Sequence, residues 1–146
     1  MTESAILDVK NPGALDEPLV QDLLRRGLEG WFDLQKVMLL LRNAIGQTTF
    51  GFFVARGGDE LVGFCILDTA DWAFSIGAQI LFFYCPHHQE SLAGLADAIK
   101  KWCRARGIHK IGLVNRIAHV PDENYVERFE KFAPVKQIGG IFQYEV

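Results

Sequence analysis

Cysteine is scarce in this sequence. Cys65, Cys85 and Cys103 lie far apart and form no CxxC pair. This spacing matches no zinc motif and no disulfide framework, so we expect three buried thiols in a reducing compartment. The sequence also has no apolar run close to the ~20 residues that cross a bilayer, and its start, MTESAILDVKNPG, has no basic region before an apolar run. We therefore expect a cytoplasmic protein with no signal peptide and no membrane partner.

An excess of positive charge is also absent. The chain has 15 basic and 18 acidic residues and a formal net charge of -3, whereas a basic surface is the usual footprint of a nucleic-acid binder. The motifs GxSxG, HExxH, GxxxxGK(S/T) and GxGxxG are missing. His109 and His119 have no cysteine or carboxylate partner at metal-ligand spacing. We expect no nucleic-acid partner and no metal.

The composition predicts one globular domain over residues 1–146. The chain is 49% hydrophobic and 23% charged, which is enough apolar material for a substantial core. Apolar residues at spacings of three and four predict two helices, the first opened by Asp16 and the second ended by Gly46. The same period predicts a helix over 91–106, with Leu92, Leu95 and Trp102 on its buried face.

Runs of aromatic and β-branched residues predict the strands. TTFGFFVA and LVGFCILD, joined by RGGDE, indicate an antiparallel hairpin. A loop from about Thr69 to Gly77 should lead to AQILFFYC, a strand buried on both faces. The remaining predicted elements are a short strand AILDV near the start, a strand IHKIGLV, a helix PDENYVERFEKF and a closing hairpin over residues 135–146.

The element order predicts an α/β fold with a mixed central sheet flanked by helices. A strand–helix–strand crossover over residues 78–114 sits inside this sheet. The connection into the crossover helix reads C-P-H-H-Q-E-S-L-A-G. With the element order, this segment resembles the GNAT-type N-acetyltransferases, whose form is x-Pro-x-x-(Arg/Gln)-x-x-Gly-x-(Gly/Ala). Pro86, Gln89 and Gly94 match that form, and Leu92 stands where its first glycine is expected.

The resemblance implies acetyl-coenzyme A as the acyl donor, with its pyrophosphate on backbone N–H groups at the helix start. Leu92 can still donate its N–H if its backbone is helical, although Glu90 brings a negative charge close to the phosphates. His87 and His88, if protonated, would partly offset that charge. The implied cofactor-binding residues are Phe83, Tyr84, Gln89, Glu90, Ser91, Leu92, Ala93, Gly94 and Asn115.

The resemblance also implies a catalytic acid, which many such enzymes supply as a tyrosine in a late helix. Phe129 stands at that position here, and a phenyl ring donates no proton. Tyr125 and Tyr84 are the candidate catalytic residues, each with the alternative of a packed wall or core residue. Asp68 and Asp71 are candidate bases, with the alternative of solvated loop carboxylates.

Two functions remain open from the sequence. The first is acetyl transfer from acetyl-coenzyme A to an amine acceptor, either a small molecule or a protein. The second is an inactive binding or structural module, whose aromatic residues would form a protein-binding surface or, alternatively, core. The oligomeric state is open, with a homodimer as one alternative.

Overall fold

The computed structural model describes residues 4–29, 33–72, 75–109 and 111–113. Its elements, in chain order, are β1 (Ser4–Asp8), a 3-10 helix (Pro12–Asp16), α1 (Pro18–Leu28), α2 (Leu34–Ala44), β2 (Phe50–Gly57), β3 (Glu60–Trp72), β4 (Ser75–Tyr84), α3 (Gln89–Ala105) and β5 (Ile111–Leu113). The predicted late helix and closing hairpin lie outside these residues, as do Asn115, Tyr125 and Phe129.

The five strands form one sheet in the order β1-β2-β3-β4-β5. The first four strands pair antiparallel, and β5 runs parallel to β4 through the α3 crossover. Gly58 and Asp59 turn β2 into β3, and Gly58 takes a positive φ of 63° that favours glycine. The predicted hairpin and the predicted mixed sheet are both confirmed.

Each face of the sheet carries its own core. We call the first the α3 core; its members are Phe53, Ala55, Cys65, Leu67, Ala78, Ile80, Phe83, Cys85, Leu92, Leu95, Ala96, Ile99, Trp102, Cys103 and Ile108. The second is the α1–α2 core; its members are Leu15, Val20, Leu23, Leu24, Leu28, Val37, Leu41, Ile45, Phe50, Phe52, Val54, Leu61, Phe64 and Ile66. Successive strand side chains alternate between these two cores, as the period of a pleated strand requires.

One predicted boundary is wrong at the β3–β4 connection. A loop over Thr69–Gly77 is expected from the sequence, but β3 continues to Trp72 and β4 starts at Ser75. Thr69 pairs with Ala78, and Asp68 pairs with Gln79. Backbone pairing of residues 69–72 with β4 therefore overrides the low strand preference of Asp71. Asp68 and Asp71 belong to a strand and are not loop carboxylates.

The helix ends differ from the sequence predictions by a few residues. α1 begins at Pro18, because residues 12–16 form a separate 3-10 turn. α3 begins at Gln89 instead of residue 91 and ends in a hydrogen-bonded cap at Gly107, whose φ is 68°. The Ile108 N–H donates to the Cys103 carbonyl and the Gly107 N–H to the Arg104 carbonyl, which satisfies two orphan helix acceptors.

Candidate functional site

The connection from β4 into α3 holds the segment that resembles a phosphate loop. His88 is the N-cap of α3, and its Nδ1 atom accepts a hydrogen bond of 3.2 Å from the Ser91 N–H. Nδ1 must carry no proton to accept this bond, so the proton of the neutral ring is on Nε2. His88 therefore acts in the described structure as a neutral cap and does not offset the charge of Glu90.

Contacts with β1 and β2 fix the position of the α3 N-terminus. The Ser91 side chain is fully buried, and its Oγ shares a hydrogen bond of 3.1 Å with Oγ of Ser4. The His88 ring lies against Gly57, where an added Cβ would come within 3.0 Å of Nε2. The Cys85 Sγ donates to the His88 carbonyl over 3.5 Å. These contacts hold the helix start at the end of β4.

Two backbone N–H groups remain for a ligand at this helix start. The Leu92 N–H donates to the His88 carbonyl over 3.0 Å, and the Ser91 N–H is taken by the His88 ring. Within the described part of the chain, the N–H groups of Gln89 and Glu90 donate to no protein group. Both residues are exposed. This pair, with the positive end of the helix dipole, is a small anion-binding arrangement.

Leu92 fits this arrangement without the glycine that the resemblance would place there. Its backbone is helical, and its side chain is only 2% exposed because it packs in the α3 core. The leucine therefore neither needs a left-handed backbone angle nor covers the helix start. Ala93 is half-buried on the next position of the same turn.

Gly94 lies one turn into α3 and faces β1. An added Cβ there would lie 3.0 Å from Cδ1 and Cγ1 of Ile6, so glycine lets the helix approach the edge strand. Gly94 also lines a groove of about 710 Å³ between β1 and α3. The described lining of that groove includes neither Gln89 nor Tyr84, so it is a separate feature from the helix start.

The second half of β4 carries Phe83 and Tyr84 toward that helix start. Phe83 is buried in the α3 core, whereas Tyr84 is half-buried and packs against the α1–α2 core. The Tyr84 ring lies 5.8 Å from the Phe64 ring, with 35° between their planes. Gly27 of α1 lies against both rings. Tyr84 thus has the packed surroundings of a wall residue, and its predicted catalytic role stays a prediction.

A bulge interrupts β4 before these two aromatic residues. Ile66 pairs with Phe82 and Leu67 pairs with Ile80, so Leu81 is one extra residue on β4. Leu81 and Phe82 consequently both pack toward the α1–α2 core. Bulges of this kind bend a strand and redirect its side chains, often beside an active site.

Asp68 and Gln79 are polar residues opposite each other in the centre of this sheet. Oδ1 of Asp68 is buried and has no hydrogen-bond partner within the described residues. Burial raises the pKa of the Asp68 carboxyl group, and a hydrogen bond from the Gln79 side chain opposes that rise. The sequence analysis missed Gln79, although a single glutamine inside the apolar run AQILFFYC is a usable signal.

The other chemically reactive side chains lie away from the helix start or in the cores. Cys65, Cys85 and Cys103 are buried free thiols, as predicted, and burial raises the pKa values of Cys65 and Cys103. Across residues 4–29, 33–72, 75–109 and 111–113, no three His, Cys, Asp or Glu side chains form a metal-binding group. The same residues contain no helix long and apolar enough to cross a membrane.

Comparison with known proteins gives one positive result, from solved structures. No family model and no curated protein sequence matches the chain. The aminoglycoside 6'-N-acetyltransferase AAC(6')-Ih of Acinetobacter baumannii superposes with a TM-score of 0.70 at 11% identity, covering 99% of this chain and 98% of that one. AAC(6')-Iy, solved with a bisubstrate analogue of coenzyme A and acetylneamine, gives 0.73 at 14% identity, with coverage of 99% and 98%.

A third structure, a predicted acetyltransferase of Clostridium acetobutylicum solved with acetyl-coenzyme A, gives a TM-score of 0.67. Its identity is 15%, and the alignment covers 99% of this chain and 96% of that one. Near-complete coverage of chains of similar length at these TM-scores shows a shared fold. The chain has the GNAT-type acyl-coenzyme A N-acyltransferase fold, and the fold expected from the sequence is confirmed.

Proposed function

We propose that the protein transfers an acetyl group from acetyl-coenzyme A to a primary amine. The observation that supports this most directly is the pair of unpartnered N–H groups at Gln89 and Glu90, exposed at a helix start. This helix start follows β4 in a fold for which one neighbouring structure holds acetyl-coenzyme A and another a coenzyme A bisubstrate analogue. Two backbone donors and the helix dipole suit a pyrophosphate.

The remaining predicted cofactor-binding residues divide by their surroundings. Phe83 and Tyr84 are the last two residues of β4, where the pantetheine arm would follow this strand. The N–H groups of Ser91 and Leu92 already have acceptors and do not reach a ligand. These two residues instead support the helix start through their buried side chains. Gly94 allows close packing against Ile6 at the following turn, where Ala93 is half-buried. Asn115 stays a prediction outside the described residues.

The chemistry is an attack of the neutral amine on the thioester carbonyl carbon. It requires an acceptor for the ammonium proton and a proton for the leaving thiolate. An amine-bearing small molecule is the favoured acceptor class, because three neighbouring proteins are named as aminoglycoside acetyltransferases and one of them was solved in complex with sisomicin. Tyr84 remains the described candidate for the acid, and Tyr125 the second candidate.

Calorimetry and thermal shift with acetyl-coenzyme A test this proposal first. At a ligand concentration of 100 Kd, the free energy of unfolding should rise by about 2.7 kcal/mol. Amines should then be supplied with acetyl-coenzyme A while the release of coenzyme A thiol is followed. A suitable panel is sisomicin, spermine and the amide of Nα-acetyl-lysine, which has a free ε-amine. An unchanged melting temperature with millimolar acetyl-coenzyme A would contradict the proposal.

A second candidate function is a module that binds without turnover. It is favoured by the engagement of the Ser91 and Leu92 N–H groups, which leaves only two donors for a pyrophosphate. The same experiments separate the candidates. The melting temperature of such a module would rise with a ligand, or the module would bind a protein. Acetyl-coenzyme A would stay intact in the presence of every amine.

A further inference from the structure

The buried oxygen of Asp68 is a polar group that the described fold does not use. Its neighbours across the sheet are Phe50 on β2 and Gln79 on β4. Phe50 is a member of the α1–α2 core, and the Gln79 amide reaches the carboxyl group. A buried carboxylate oxygen without a donor is unfavourable, and most such groups in folded proteins have a partner. A ligand that brings a hydrogen-bond donor to Oδ1 would satisfy this oxygen.

The side of the sheet on which Asp68 lies follows from strand alternation. Ile66 packs in the α1–α2 core and Leu67 in the α3 core, so Asp68 is on the α1–α2 side with Ile66. Ala78 and Ile80 pack in the α3 core, which places Gln79 on the same side as Asp68. The extra residue of β4, Leu81, also packs on this side.

The length of the acyl donor places its thioester near this pair, an argument that rests on the proposed function. The pantetheine arm has about 12 bonds from its phosphate ester oxygen to its sulfur, the length of about four extended residues. If the arm enters the sheet at the last residue of β4, Tyr84, four residue spacings back along the strand reach Ile80, just beyond the bulge at Leu81. Gln79 is the next residue, about 3 Å beyond Ile80, and Asp68 lies beside Gln79 at the ~5 Å spacing of paired strands.

We propose that Asp68 is the catalytic base that takes the proton from the acceptor amine. The acceptor's ammonium group donates a hydrogen bond to Oδ1 and transfers that proton to the carboxylate. The nitrogen lone pair then forms the C–N bond with the thioester carbonyl carbon, the C–S bond breaks, and the thiolate leaves with the bonding electrons. The attacking nitrogen still carries one proton more than an amide nitrogen, and transfer of that proton to the thiolate completes the products, an N-acetyl amine and coenzyme A. Gln79 positions the carboxyl group through its amide.

The test compares wild-type protein with Asp68→Asn and with Asp97→Asn, which removes the same charge at an exposed position of α3. Steady-state transfer to sisomicin, spermine and an acetyl-lysine amide is measured together with the Kd for acetyl-coenzyme A. For Asp68→Asn, kcat/KM should fall by about 10²- to 10⁴-fold, the usual contribution of a general base. The Kd for acetyl-coenzyme A should stay within twofold, and Asp97→Asn should behave as wild type.

Binding of the amines to the protein–coenzyme A complex gives a readout that does not need turnover. Wild type and Asp97→Asn should bind at least one amine of the panel, and Asp68→Asn should bind it at least fivefold more weakly. Equal transfer or equal amine binding by Asp68→Asn overturns the assignment, and so does the absence of amine binding to wild type. Failure of the proposed function itself is recognised separately, because no variant would then bind acetyl-coenzyme A.

Discussion

The first N–H groups of α2 and α3 are capped by different residues, Asp33 and His88. At α2, the Asp33 carboxylate accepts hydrogen bonds from the N–H groups of Gln35 and Lys36. At α3, the neutral His88 ring accepts from Ser91 alone. A charged cap satisfies two donors and neutralises the positive end of its helix, whereas a neutral cap leaves two donors and the dipole available. Of these two helix starts, that of α3 is therefore the better suited to receive an anion.

The largest expected effect is the loss of stability when the buried side chain of Leu92 on α3 is shortened. Leu92→Ala removes a side chain from the α3 core, and we expect the free energy of unfolding to fall by about 2–5 kcal/mol. The melting temperature, followed by circular dichroism, should fall by roughly 6–15 °C. Leu92→Gly should be worse by about 1 kcal/mol, because glycine also weakens a helix.

Leu19→Ala is the matched control for Leu92→Ala, since Leu19 is 60% exposed on α1. Its free energy of unfolding should change by less than about 0.5 kcal/mol. Tighter acetyl-coenzyme A binding by Leu92→Gly would show that the leucine obstructs the helix start after all, contrary to its buried placement.

Exchanging the caps tests the comparison directly. His88→Asp gives α3 the kind of cap that α2 has, and stability should stay within about 1 kcal/mol of wild type, because aspartate caps well. Acetyl-coenzyme A should bind at least about fivefold more weakly, since a carboxylate ~4 Å from a phosphate costs about 1 kcal/mol even in water.

Two further variants sharpen the cap exchange. His88→Asn keeps a neutral cap and should preserve both stability and binding, whereas His88→Ala should lose about 0.5–2 kcal/mol of stability. Calorimetry and chemical denaturation provide both readings. Equal affinity in the Asp and Asn variants would place the phosphates away from this helix start.

The sequence predicts this fold well because the fold rests on strong periodic signals. The helix faces and the Gly58–Asp59 hairpin follow from apolar spacing and turn chemistry. The length of β3 does not, since Asp71 favours a loop locally and only pairing with β4 makes residues 69–72 strand. The candidate site is harder to predict from the sequence. The His88 cap and the unpartnered oxygen of Asp68 depend on contacts between elements distant in sequence.

Substitution of Glu90 should change the affinity for acetyl-coenzyme A less than the His88→Asp cap exchange does. It is an exposed acid in the first turn of α3, where it stabilises the helix but opposes a bound phosphate. Glu90→Gln should tighten acetyl-coenzyme A binding about 2- to 5-fold, equivalent to about 0.3–1 kcal/mol. Glu17→Gln, at the start of α1 on the other face of the sheet, is the control and should leave the Kd unchanged. Weaker binding by Glu90→Gln would argue against an anion at this position.

The smallest expected effect is the pH dependence of stability due to Asp68. Burial raises the pKa of its carboxyl group in the folded protein, so the folded state holds this proton to higher pH than the unfolded state does. Stability from this group is therefore complete below the ordinary carboxyl pKa of about 4 and declines as the pH rises through the raised value.

The melting temperature of Asp68→Asn minus that of wild type should accordingly increase from pH 3 to pH 7. The increase should be small, because the side chain is half-exposed and water screens it. Asp22, whose pKa is lowered by its hydrogen bond with Arg25, acts in the opposite direction but is present in both proteins and cancels. A difference that shrinks toward neutral pH would mean that a donor within the protein already satisfies Oδ1, and Asp68 would then be a structural residue comparable to the Asp33 cap.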